Sequence, residues 1–291
     1  MKATDQEKAL AAEIWRRFHE EDYDQAVTLL GEALKTSGHP RFKRIQARFS
    51  LFDGDEAEAS GIIRSLLPDV WHPGSWEVAL AANGSCRARI LKAQKILYFP
   101  LRKCGSTSLM NLMKIIAGED VKGEEVHHED YKKTPIKLSE MARNYDGFFK
   151  FSVVRSPVDR LMSFYRGNIV ARDQLMVEHG GATQFYGLPT KPDLGFFLEN
   201  LTRYRQVFIS VRDHTEPLTA SIGTDPKLFD WVGGLHQLPD LVAQLSAHTG
   251  VELPLLQEMA TPNKTNEPTP VMPEAVQALY AADYDVYGQF F

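Results

Sequence analysis

Cysteine is nearly absent, with only Cys86 and Cys104 in 291 residues. Two thiols build no disulfide framework, so the fold rests on its hydrophobic core and a reducing, cytoplasmic setting is expected. Long apolar runs are lacking as well. No stretch approaches the roughly 18 apolar residues that cross a bilayer. The polar start MKATDQEKAL offers no signal-peptide core, so no membrane partner is expected. Positive charge is not in excess: 33 Lys and Arg stand against 38 Asp and Glu, for a net charge of -5. That balance argues against a general nucleic-acid binder while leaving room for a local basic pocket. The nucleoside-triphosphate loop G-x-x-x-x-G-K-[ST] is missing too, which argues against an ordinary ATPase or GTPase.

What is present is the composition of a globular protein, 43% hydrophobic and 24% charged. The length suits one domain of about 200 residues plus an appendage. The appendage reads as helical. EDYDQAVTLL at residues 21–30 is echoed 33 residues later by GDEAEASGII, Ala26 matching Ala59 and Leu29–Leu30 matching Ile62–Ile63. This is the period of tetratricopeptide-type helical hairpins, in which a small residue lets paired helices approach. A plain helical hairpin is the competing reading. WHPGSW, residues 71–76, reads as the connector, giving a helical region over 1–75 and a second domain over 76–291.

From Lys95 onward, strand and helix patterns alternate, as in an α/β domain with a mainly parallel sheet. KILYF, Lys95 to Phe99, reads as a buried strand. A helix follows, with Leu109, Leu112, Met113 and Ile116 on one face and Gly118 as its stop. The joint between them, FPLRKCGSTSL, holds Gly105, Ser106, Thr107 and Ser108 where a helix begins, its first N–H groups lacking helical partners. With Lys103 beside it, such a joint suits an oxyanion. The same pieces also make any ordinary strand-to-helix connection. Cys104 lies inside this loop with no histidine close in sequence, and reads as a small buried residue.

A second joint has the same form. FFKFSVV, Phe148 to Val154, reads as a strand and is followed by RSPVDRLMSFY. Ser156 is a candidate N-cap, Pro157 suits the first turn, and Val158, Leu161, Met162 and Tyr165 mark an apolar face. Arg155 falls at the C-terminal end of a strand, where open α/β sheets bind ligands. Ser163 lies about two helical turns further on, within reach of the same anion; an arginine tied to a nearby carboxylate and a solvent-facing serine is the alternative. The Gly- and Pro-rich stretch from Asn168 to Asp193 reads as a long loop, a lid or an acceptor-binding wall. Helices are expected at Leu194 to Gln206, Leu238 to His248 and Pro273 to Tyr287, the last presenting Val276, Leu279, Tyr280, Asp283 and Tyr284 as mostly a packing face.

In this order, and about 50 residues apart, the two joints resemble those of the sulfotransferases that use 3′-phosphoadenosine 5′-phosphosulfate (PAPS). The likeness is closest to the branch that includes the Golgi carbohydrate sulfotransferases. RDHTEPLT at 212–219, LFDWV at 228–232, NKT at 263–265 and the closing LYAADYDVYG are also similar to that family. The likeness spans roughly residues 95–291, and without a Golgi-type anchor in this sequence the better analogy is a soluble bacterial-type relative. It implies a P-loop-like, mainly parallel sheet flanked by helices, behind the tetratricopeptide-like extension. It also implies that Arg102, Lys103, Cys104, Gly105, Ser106, Thr107 and Ser108 hold the 5′-phosphosulfate while Arg155 and Ser163 hold the 3′-phosphate. Lys264, and with it Asn263, is expected to contact the 3′-phosphate or adenine. Arg212 and His214 read equally well as structural.

Moving a sulfuryl group onto a hydroxyl builds charge on the leaving phosphate oxygen, a charge that Lys103 is placed to stabilise. The acceptor hydroxyl, on a carbohydrate, a phenol or a small alcohol, needs a base. EEVHHEDY, residues 124–131, offers His127 and His128. Alternation in an extended segment turns them opposite ways, and His128 is preferred. Two surface histidines on an acidic loop is the competing reading. No metal is expected, since adjacent histidines seldom converge on one ion. A phosphate-transferring kinase and a non-catalytic nucleotide-binding adaptor are the alternative functions. Association with another protein or a second copy is expected to run through the N-terminal helices.

Overall fold

The computed structural model describes residues 3–66, 85–119, 134–254 and 270–291. The chain forms two compact units. The first begins with α1 (Asp5–His19), α2 (Tyr23–Thr36), α3 (Pro40–Phe52) and α4 (Glu56–Leu66), packed in chain order. α1 opens with a reciprocal cap: the Glu7 N–H donates to Thr4 Oγ1 at 3.2 Å and the Thr4 N–H donates to Glu7 Oε2 at 2.8 Å. Pro40 starts α3, where its missing N–H costs nothing. The repeat seen in the sequence has a repeated burial pattern: Ala26 and Ala59 are fully enclosed, Leu30 and Ile63 are buried, and Leu29 and Ile62 are half-buried.

Segment 168–213 belongs to this same unit, as does 272–279. The stretch expected as a loop from Asn168 to Asp193 is instead ordered into a π-helical turn (Tyr165–Val170), the short α8 (Gln174–Glu178), and a hairpin of β5 (Gln184–Phe185) and β6 (Leu188–Pro189). Its tip is pinned. Tyr186, in the left-handed region at φ 48°, donates its N–H to Glu21 Oε1 at 2.7 Å and its hydroxyl to the Phe18 carbonyl at 2.6 Å. Its ring stacks on Phe18 at 5.0 Å. The single helix expected over 194–206 is two, α9 (Leu194–Glu199) and α10 (Leu201–Val207), broken at Asn200, and α10 packs on α3; α11 (Ile209–Thr215) follows.

The second unit is built on a five-stranded sheet in the order β3-β1-β2-β4-β7. These strands are β1 (Ser85–Leu91), β2 (Ile96–Tyr98), β3 (Thr134–Lys137), β4 (Phe149–Val154) and β7 (Trp231–Gly234). β2 pairs with β4, and β4 with β7, in parallel, while β1 is antiparallel to both its neighbours. One strand therefore opposes the other four, so two of the four pairings are parallel and two antiparallel. Side chains alternate between the two faces. Ile96, Tyr98, Phe151 and Val153 join one core with α5 (Ser106–Ala117) and α13 (Leu238–Thr249). Leu97, Val154, Cys86 and Ala88 join the other with Met141 of α6 (Leu138–Asn144), Leu218 and Ile222 of α12 (Leu218–Ile222), and Tyr287. Burial on both faces is why these strands read as continuous apolar runs.

The last helix, α14 (Glu274–Tyr287), buries Val276, Tyr280, Asp283 and Tyr287 but exposes Tyr284, a residue the periodicity had placed inward. Asp283 is fully enclosed, accepting from the Leu218 N–H at 2.7 Å, the Thr219 N–H at 2.8 Å and Thr219 Oγ1 at 2.8 Å. Burial outweighs these donors and the nearby Arg160, and holds its carboxyl above the usual range. The Tyr280 hydroxyl donates to the Thr215 carbonyl and that of Tyr287 to the Gly223 carbonyl, so three side chains fasten α14 to segment 215–223. Asp283→Ala strands two buried N–H groups and is expected to cost about 2–4 kcal/mol. Urea unfolding measures it; a loss below about 0.5 kcal/mol, the scale of an ordinary surface substitution, would show that the N–H groups find other partners.

Candidate functional site

β2 and β4 run in parallel register, Ile96 opposite Phe149 and Tyr98 opposite Phe151. The pairing continues one residue beyond β2: the Phe99 N–H donates to the Phe151 carbonyl at 3.0 Å, and Ser152 Oγ donates to the Phe99 carbonyl at 2.8 Å. Both chains then leave the sheet at one edge, β2 into 100–105 and β4 into Arg155. Two residues of the first loop are left-handed, Lys103 at φ 62° and Gly105 at φ 71°. For a lysine this conformation is a strain of about 1–2 kcal/mol that the surroundings must hold. At Gly105 the positive φ favours glycine, and an added Cβ would also lie tightly, 3.1 Å from Leu235 Cδ2. α5 starts directly afterwards. Its first internal bond is the Leu109 N–H to the Gly105 carbonyl, so the helix supplies no acceptor for the N–H groups of Ser106, Thr107 and Ser108.

Three cationic side chains from the sequence reading surround this joint. Arg102 is exposed, with Nη1 3.4 Å from Nε2 of His214, whose ring stacks on Phe164 at 4.8 Å. A guanidinium only donates, so this contact requires Nε2 as the acceptor and the imidazole proton on Nδ1. Lys103 Nζ lies beside Gly167, where a Cβ would stand 3.6 Å from it. Arg155 is a quarter exposed, its Nε 3.9 Å from Asp159 Oδ2, a loose pair that leaves the guanidinium accessible. Cys104 is buried. Desolvation raises its thiol pKa, and Arg160 and Arg155 pull it back, which places both arginines within electrostatic reach of the loop.

The structure thus brings Arg102 to Ser108 and Arg155 together at one sheet edge. Ser163 is half-buried on α7 (Pro157–Phe164), immediately before the Phe164 ring that holds His214. Ser156 occupies the N-cap position of α7 but makes no cap bond, its hydroxyl standing 3.4 Å from that of Tyr284. His127, His128, Asn263 and Lys264 lie outside the described residues. Arg212 has Asp213 at 3.9 Å. Arg89 is buried, with Glu119 at 3.7 Å. Among the described residues no three His, Cys, Asp or Glu side chains converge on a metal-sized space, and no helix is long and apolar enough to cross a membrane.

One residue escaped the sequence reading. Arg160 is only 2% exposed and faces inward with Pro157, Leu161 and Phe164, whereas Val158 and Tyr165 are only half-buried. Its signal was a charge at i+3 from Pro157 and i−4 from Phe164, on the stripe that enters the core.

A strand edge that presents a helix N-terminus, a lysine and two arginines is an arrangement of an α/β protein that suits an oxyanion. The particular family follows from comparison: the model of the sulfotransferase family matches residues 87–252, more than half of the chain. The chain belongs to the sulfotransferase family, whose general chemistry is sulfuryl transfer to a hydroxyl-bearing acceptor. Neither the curated proteins nor the solved structures contain a match.

Burial sets the behaviour of both thiols. The Cys86 thiol is pushed up to about 12 by burial, and that of Cys104 is also raised. Neither is expected to react with iodoacetamide at pH 8 in the folded protein, while both react once it is unfolded. Peptide mass spectrometry reads the outcome; rapid native labelling of Cys104 would refute a buried, neutral thiol in the loop.

Proposed function

We propose that this chain moves the sulfuryl group of PAPS to a hydroxyl acceptor at the shared edge of β2 and β4. The supporting observation is their parallel pairing, which releases the Lys103 loop and Arg155 from adjacent strands at the same sheet edge. One anion site at each strand end suits a carrier with phosphate groups at both ends. In this reading Arg102 to Ser108 hold the 5′-phosphosulfate, Arg155 and Ser163 hold the 3′-phosphate, and Lys264 adds a contact there. The acceptor oxygen attacks sulfur in line as the bond from sulfur to the phosphate oxygen breaks, leaving adenosine 3′,5′-bisphosphate. Lys103 takes up the charge that grows on that oxygen. His128, or else His127, accepts the acceptor proton. No metal takes part in this scheme; phosphoryl transfer, the alternative, depends on Mg²⁺ and would stop in EDTA.

We assign residues 76–291 to the sulfotransferase domain and 1–75 to a tetratricopeptide-like region, in the cytoplasm. Segment 168–193 and the N-terminal helices lie in one compact unit. That helical surface is where a partner protein or second copy would bind.

Lys103→Ala is expected to slow turnover about 10²- to 10³-fold with little change in affinity for adenosine 3′,5′-bisphosphate. Steady-state rates and calorimetry separate the two, and unchanged turnover would remove Lys103 from the mechanism. The rate should fall on the acid side, as the histidine base takes up a proton and can no longer accept one. His128→Ala should abolish that limb, and wild-type profiles in both His127→Ala and His128→Ala would place the base elsewhere.

A further inference from the structure

Arg160 is buried, charged and only partly satisfied. Its Nε donates to the carbonyl of Arg102 at 3.2 Å, and its Nη1 has no hydrogen-bond partner among the described residues. A guanidinium keeps its charge at every accessible pH and carries five donors. Burying one with donors unmet is unfavourable unless something anionic compensates it. Asp283 is near enough for Arg160 to pull its carboxyl down, but that carboxylate already accepts three hydrogen bonds from Leu218 and Thr219. The same guanidinium acts on the thiol of Cys104, two residues into the loop from the carbonyl it holds.

The geometry at Arg102 decides what Arg160 does. The carbonyl of Arg102 and the N–H of Lys103 belong to one planar peptide unit. Fixing that oxygen from beneath fixes the plane from which Lys103 departs, and Lys103 is the strained, left-handed residue of the loop. Resting on the sulfuryl-transfer reading above, we infer that Arg160 is a positioning residue for the 5′ half of the donor. It holds peptide 102–103 so that Lys103 and the N–H groups that follow face the 5′-phosphosulfate, and the anion in turn compensates the buried charge. This role differs from that of Arg155 and Ser163, although Arg160 sits between them in sequence.

Adenosine 5′-phosphosulfate and adenosine 3′-phosphate each carry one end of the donor, so they separate this role from plain structural support. In Arg160→Gln, calorimetry should show affinity for adenosine 5′-phosphosulfate falling about tenfold or more, the scale of a lost charge-assisted contact, with adenosine 3′-phosphate unchanged. Arg155→Gln should show the opposite pattern. Arg160→Lys, which keeps the charge without the fork, should recover part of the 5′ affinity, and it carries the same comparison if the glutamine variant does not fold. Equal weakening of both nucleotides, or of neither, overturns the inference. If the wild-type protein binds neither nucleotide nor adenosine 3′,5′-bisphosphate, the sulfuryl-transfer reading itself falls.

Discussion

The parallel pairing of Ile96–Tyr98 with Phe149–Phe151 is the constraint on which the site depends. Strands that run the same way release their chains at the same edge, each into a loop and then a helix whose N-terminus points back at that edge. Had the pair been antiparallel, the lysine loop and Arg155 would lie at opposite ends of the sheet. The hydrogen bonds of Phe99 and Ser152 extend the pairing past the last strand residue, so the first loop starts from a fixed point.

Holding that edge in place takes both faces of the sheet. Tyr98 and Phe151 stack at 4.9 Å on the α5 side, while Leu97 and Val154 pack on the other. Beneath the loop the interior turns polar. Arg160 reaches up to the Arg102 carbonyl, Asp283 gathers the amides that begin α12, and the tyrosines of α14 bind the chain around them. Such a network is expensive to bury, and it confers a single arrangement on a loop that contains two left-handed residues.

Much of the site's scaffold was legible in the sequence because it is local. The strand before Pro100, the buried face Leu109, Leu112, Met113 and Ile116, and the left-handed glycines 105 and 118 all follow from short-range periodicity and glycine chemistry. Other features depend on distant contacts and were not legible. Stretch 168–193 reads as a loop by composition, but it is ordered by Phe18 and Glu21, far away in the chain. Periodicity put Tyr284 inward, where packing left it exposed, and Ser156 has the chemistry of a cap but turns to a tyrosine of the last helix.

The sequence by itself determined the membership of the two joints: which residues end strands, which begin helices, and which cations stand beside them. Local backbone preferences and side-chain periodicity act over a few residues, and that range covers a strand end and a helix start. Only the tertiary structure decided that the joints share an edge, that Arg89 is interior, and that Asp283 closes a polar network. Strand order and the partners of a buried charge are settled by residues tens of positions away or more; the helical stripe could place Arg160 on the buried face, but no local pattern names the Arg102 carbonyl that it holds.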